Sequence, residues 1–138
     1  MQRLSISRAG IGTLAMVFTV AAGAETPQDF LNAFDLAARQ EQRGFGGFSA
    51  ARGERFFNST HKREWSCASC HTPNPASTGR HAKTDKPIAP LAPAANAERF
   101  ARPDKVEKWF RRNCNDVLGR ACTPEEKGDV LSYLLSVR

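Results

Sequence analysis

Apolar positions recur at helical spacing in several stretches of the chain and almost nowhere alternate as they would in a half-buried strand. Thr26-Pro27-Gln28-Asp29 supplies a hydroxyl cap, a proline at the first helical position and an acid in the first turn. The helix it opens should run to about Arg43, with Phe30, Phe34, Ala37 and Ala38 on one core face, before Gly44 and Gly46-Gly47 break the pattern. A shorter helix is predicted from Ser49 to about Ser59, carrying Ala50, Gly53 and Phe57 on one side. Gly53 costs about 1 kcal/mol in a helix interior, which marks either a weak spot or a place where another helix comes close. From Thr72 to Arg102 the pattern dissolves, and Pro73, Pro75, Pro87, Pro90 and Pro93 forbid a long helix. Pro103-Asp104 opens the next helix, with Val106, Trp109, Phe110 and Asn113 at helical spacing. Thr123-Pro124-Glu125-Glu126 opens the last with a capping box. Val130, Leu131, Leu134 and Val137 or Arg138 mark its buried face; spacing leaves the direction of Tyr133 open. The fold class is all-α.

Before these helices lies a segment of a different kind. Arg3 and Arg8 precede an apolar run from Ile11 to Val20, and Ala22-Gly23-Ala24 resembles a cleavage site, so residues 1–24 read as a secretory signal peptide. The run is short for a membrane span and no second one follows, so the exported chain should be a soluble periplasmic protein with no membrane span. Its removal leaves 114 of the 138 residues, one domain over 25–138, and lowers the formal charge from +6 to +4. The cations are interspersed with acids (Lys105, Glu107, Lys108, Arg111, Arg112), the pattern of a solvated surface or of a patch that steers an acidic redox partner. Nucleic acid is not an expected partner.

The chemistry centres on Cys67-Ala68-Ser69-Cys70-His71, a C-x-x-C-H run of the kind that attaches a c-type haem. Two thiols one helical turn apart can each add to a porphyrin vinyl group, and the next residue then lies under the metal, so Cys67 and Cys70 would hold one covalent haem c and His71 its iron. A thioredoxin-like C-x-x-C would require a βαβ setting that the chain lacks. A four-cysteine zinc site would need Cys114 and Cys122 closer together in sequence. In an oxidising compartment, those two cysteines are expected to pair. The long proline-rich segment has a use here, since a haem edge needs cover: Ile88, Leu91 and Pro90 would pack on it, with Arg80, Lys83 and Lys86 as candidate propionate partners.

The far side of the iron is the open question. The only methionines, Met1 and Met16, lie in the signal segment, so the His-Met pair common in electron carriers is excluded. His61, His81, a lysine, a carboxamide such as Asn113 or Asn115, or water remain.

Two resemblances narrow this. Gly53 and Phe57 before the haem motif, with Tyr133-Leu134 in a final helix, resemble a class I cytochrome c, in which the first and last helices cross at the glycine. Ile88-Ala89-Pro90-Leu91-Ala92-Pro93, then Val106-Glu107-Lys108-Trp109-Phe110-Arg111-Arg112-Asn113-Cys114-Asn115, then Gly119-Arg120 and Cys122-Thr123-Pro124, resemble the sphaeroides-type haem proteins over most of the exported chain. That resemblance implies a class I cytochrome c fold with an additional N-terminal helix, an axial asparagine at Asn113, and a disulfide between Cys114 and Cys122. It also implies binding of O2 and NO when reduced, with redox partners of the dihaem cytochrome c and membrane cytochrome b kinds. The other classes to weigh are a plain electron carrier with bis-histidine ligation through His61 or His81, and an O2 or NO reductase, for which the residues supply no obvious proton donor.

Overall fold

The computed structural model describes residues 25–138, so the expected signal segment lies outside the described residues. Among these residues five α-helices carry the fold, four of them where expected and a further short one on the C-x-x-C-H run: α1 (Pro27–Glu41), α2 (Ala50–Asn58), α3 (Cys67–His71), α4 (Pro103–Leu118) and α5 (Pro124–Ser136). Four of the five starts follow side-chain caps, and α4 begins at Pro103 without one. Thr26 and Asp29 bond reciprocally at α1, Ser49 Oγ accepts from Arg52 N at α2, and Thr123 and Glu126 form the box at α5. The segment read as loop holds two two-residue antiparallel strands, β1 (Gly79–Arg80) and β2 (Pro87–Ile88), and a short 3-10 turn at Ala97–Phe100. No helix among the described residues is long and apolar enough to cross a membrane.

The core is built where α2 and α1 pack on α5. Phe30 and Phe34 of α1, Phe57 of α2, and Val130, Leu131, Tyr133 and Leu134 of α5 form one buried cluster with Phe100 and Val106. Tyr133 therefore points inward, 5.5 Å from the Phe57 ring, with its hydroxyl donating to Pro73 O at 3.3 Å. Val137 is half-buried just beyond the helix and Arg138 is exposed, so Arg138 drops from the buried face. Ala37 is only half-buried, because the inward stripe of α1 runs through Phe30, Phe34 and Ala38.

Gly53 is a close-approach position. A Cβ there would collide with the carbonyl of Asp129 and lie 3.0 Å from Tyr133 Cβ, so α2 and α5 touch backbone to backbone. The buried Asp129 carboxylate locks the same crossing. Oδ1 accepts from Ser49 N at 2.7 Å, and Oδ2 accepts from Arg52 Nε at 2.7 Å. Asp129 thereby holds the Arg52 guanidinium above its ordinary range.

Gly53→Val should lower the stability of the protein by about 1–3 kcal/mol, the usual cost of an overpacked contact. Urea unfolding measures it, and an unchanged midpoint would mean that the two helices have room to part.

Candidate haem site

The five residues of α3 are too few to form a helix unaided. Ser66 caps them: its hydroxyl accepts from Ser69 N at 3.1 Å and the Ser69 hydroxyl accepts from Ser66 N at 3.0 Å. On this turn Cys67, Cys70 and His71 stand at i, i+3 and i+4 and share a face. The fully buried Phe57 backs the site, its ring centroid 6.5 Å from that of His71. On the other side of α3, β1 packs so closely that a Cβ at Gly79 would strike the Cys70 carbonyl and approach His71 Cα at 2.9 Å. Just beyond β1, Ala82 N donates to Cys70 Sγ at 3.3 Å.

This face opens into a cavity of about 590 Å³, within the range of about 300–1,000 Å³ expected of a small-molecule or cofactor site. Phe57, Ile88, Leu91, Phe100, Val130 and Leu134 give it an apolar interior. The helix α4 supplies a further wall from one helical stripe, Val106, Trp109, Phe110, Asn113 and Val117, together with both disulfide cysteines. Cys114 and Cys122 are bonded to each other, which removes the four-cysteine zinc alternative, while Cys67 and Cys70 carry free thiols. Among the described residues no fully buried side-chain N or O atom lacks a partner. The His71 imidazole and the Asn113 carboxamide make no hydrogen bond there, so their polar atoms face the space they line. Burial, with smaller contributions from the charges of Arg99 and His81, pushes His71 down to about 4. Burial likewise pushes the Cys67 thiol up to about 12. At neutral pH the site therefore presents a neutral imidazole, the form that ligates metals, and an undissociated thiol at Cys67. An apolar hollow flanked by two thiols, an imidazole and an unpartnered carboxamide fits a covalently held haem.

The histidines separate clearly. His61 lies outside the cavity, its Nε2 2.9 Å from Phe56 O and its ring 4.3 Å from the Phe56 ring. His81 lines the cavity, but next to Ala82, which is bonded to Cys70, so it stands on the wall that carries His71. Its Nδ1 accepts from Lys83 N at 3.2 Å, which leaves the proton of the neutral ring on Nε2. Asn113 lines the cavity, whereas Asn115 is exposed and does not.

The proline-rich segment does cover the cavity, through Ile88 and Leu91 but not Pro90, whose carbonyl instead accepts from Asn96 Nδ2 at 3.1 Å. Lys83 and Lys86 reach the cavity; Arg80 pairs with Asp85 at 3.1 Å, away from it. Four charged or indole-bearing lining residues were not expected at the site: Trp65, Arg99, Arg112 and Asp116. The last two flank the α4 stripe and follow from its register, and Trp65 precedes the cap of α3. Nothing in the sequence distinguishes Arg99.

Residues 43–134 match the family described as a domain of unknown function, DUF1924. Cytochrome c'' of Methylophilus methylotrophus is 40% identical over 136 residues, spanning 91% of this chain and 94% of that protein. The cytochrome c-type protein SHP of Cereibacter sphaeroides is 40% identical over 117 residues, spanning 82% and 85%. Among solved structures, oxidised cytochrome c'' superposes with a TM-score of 0.73 at 38% identity, covering 81% of this chain and 94% of that one. Oxidised SHP, described as an oxygen-binding cytochrome c, gives 0.71 at 39% identity, covering 81% and 97%. A solution structure of cytochrome c'', concerned with haem-ligand detachment, gives 0.72 at 39% identity, covering 80% and 92%.

The Cys114–Cys122 bridge ties the end of α4 to the start of α5. Replacing both cysteines by serine should cost about 2–4 kcal/mol in thermal or urea unfolding. A loss within error of zero would show that packing alone holds this wall.

Proposed function

The chain belongs to the c-type cytochrome family of cytochrome c'' and SHP, with haem c as its cofactor, and from that premise we propose a gas-binding haem site with an asparagine gate. Cys67 and Cys70 hold the haem and His71 ligates its iron. Asn113 would be the iron's second protein donor in the oxidised protein and would yield to O2 or NO on reduction. The haem, when bound, would supply a one-electron iron centre whose ferrous state can bind a diatomic gas. All else in the proposal falls to the chain's own groups.

The observation that carries this reading is the carboxamide of Asn113, which has no hydrogen-bond partner and lines the same cavity as Cys67, Cys70 and His71. An amide oxygen is a hard, neutral, weak donor, better matched to Fe(III) than to Fe(II). Reduction loosens such a donor, and the freed Nδ2 can then donate a hydrogen bond to the guest. The backbone at Asn113 is held by α4 and by the adjoining Cys114–Cys122 bond, so release takes a side-chain rotation only. Two relatives support the reading by their descriptions, one as an oxygen-binding cytochrome and one for haem-ligand detachment.

Bis-histidine ligation is the weaker alternative, since His61 lies outside the cavity and His81 shares the wall of His71. A reductase activity draws on one further feature, the exposed carboxylate of Asp116, which lines the cavity one turn beyond Asn113 as a possible proton donor. Gas consumption with a reductant well above the rate of autoxidation would favour it. The remaining parts of the proposal are export by residues 1–24 to the periplasm and electron exchange with dihaem cytochrome c and membrane cytochrome b partners.

Asn113→Ala tests the gate. The oxidised spectrum should change, and oxygen should leave the reduced protein about tenfold faster, the loss of one hydrogen bond of about 1.5 kcal/mol. An unchanged oxidised spectrum with unchanged oxygen dissociation would reject the assignment.

A further inference from the structure

Arg99 is a half-buried cation with no carboxylate partner among the described residues. It stands at the end of the 3-10 turn and lines the cavity between the proline-rich cover and Phe100. Main-chain carbonyls orient its guanidinium: Nη2 donates to Ala89 O at 2.7 Å and Nε donates to Pro90 O at 3.2 Å. Neither bond neutralises the charge. Every other arginine or lysine that lines the cavity is exposed, with its charged head free to reach water: Lys83, Lys86 and Arg112. A charge removed from water is costly unless an anion meets it, and an arginine fork pre-set on two carbonyls is suited to a planar carboxylate.

Resting on the haem reading above, we propose that Arg99 is the positioning residue for one carboxylate of the bound haem, clamping a propionate at the covered edge of the cavity. The pair has two consequences. It fixes the rotation of the macrocycle about the two thioether bonds, because it acts at the edge away from the vinyl attachments. It also places a fixed positive charge near the iron, which favours the ferrous form, the form proposed to take gas. Lys83, whose ammonium lies 4.6 Å above the Trp65 ring, and Arg80, paired with Asp85, are left with other roles.

The test uses purified holoprotein and two arginine variants. Intact mass and haem staining after acid extraction first report covalent haem in the wild type; its absence there would overturn the haem reading itself, and this proposal with it. With haem attached, Arg99→Gln should lower the ferrous-to-ferric ratio at a fixed electrode potential about tenfold, which is about 59 mV for one electron. Arg99→Lys, which keeps the charge, should stay near the wild-type potential. A merely structural role would reduce thermal stability in both variants and leave both potentials in place, and that result would overturn the proposal. If Arg99→Gln accumulates no holoprotein, the ferrous wild type under carbon monoxide decides by NMR. Overhauser contacts between the propionate methylenes and the Arg99 guanidinium support the clamp, and their absence overturns it.

Discussion

The contact between α2 and α5 at Gly53 is the joint on which the rest of the molecule hangs. Only a residue without a side chain lets the two backbones meet, and the buried Asp129 carboxylate then ties the start of α2 to the middle of α5 through Ser49 and Arg52. Phe57 leaves this joint to back His71, and Tyr133 leaves it to hold Pro73 just past the haem motif. The wall that would carry the proximal ligand is thus an outgrowth of the tightest packing in the chain.

The wall formed by α4 is held differently. The helix is joined to α5 by the Cys114–Cys122 bond and by the Lys127–Glu107 ion pair at 2.8 Å, and to α1 by the edge-on stacking of Phe110 on Phe34. The bridge and the pair sit towards the two ends of the helix, with Trp109, Phe110 and Asn113 of the cavity stripe between them. A ligand that must stay needs the first kind of support. One that must leave on reduction needs a fixed backbone and a side chain with nothing else to bond, which is what Asn113 has beside the disulfide. On this account the asymmetry of the two walls is the physical basis of the gate.

Much of this was legible in the sequence because it is local. Thr26-Pro27 and Thr123 to Glu126 announce their helices through capping chemistry, and Pro103-Asp104 through a proline at the first position and an acid in the first turn, all of which act within one turn. The haem motif and the α4 stripe from Val106 to Asn113 are likewise turn-by-turn patterns. What spacing left open was settled by distant partners: Tyr133 by Phe57 and Pro73, and the exposure of Asn115 against Asn113 by the register of α4 on the cavity. Arg99 was invisible because its surroundings come from the proline-rich segment, where carbonyls of Ala89 and Pro90 are presented by a chain path with no periodicity to read. The same segment hid β1, whose Gly79 matters only because α3 lies against it.

The central claim is that the iron loses a protein ligand when it is reduced. Resonance Raman spectra of the wild-type holoprotein at neutral pH, recorded without added gas in both oxidation states, test it most directly. The account predicts a six-coordinate oxidised haem that becomes five-coordinate on reduction, with the histidine ligand retained. A haem that stays six-coordinate and low-spin in both states would contradict it, since the sixth donor would then never leave.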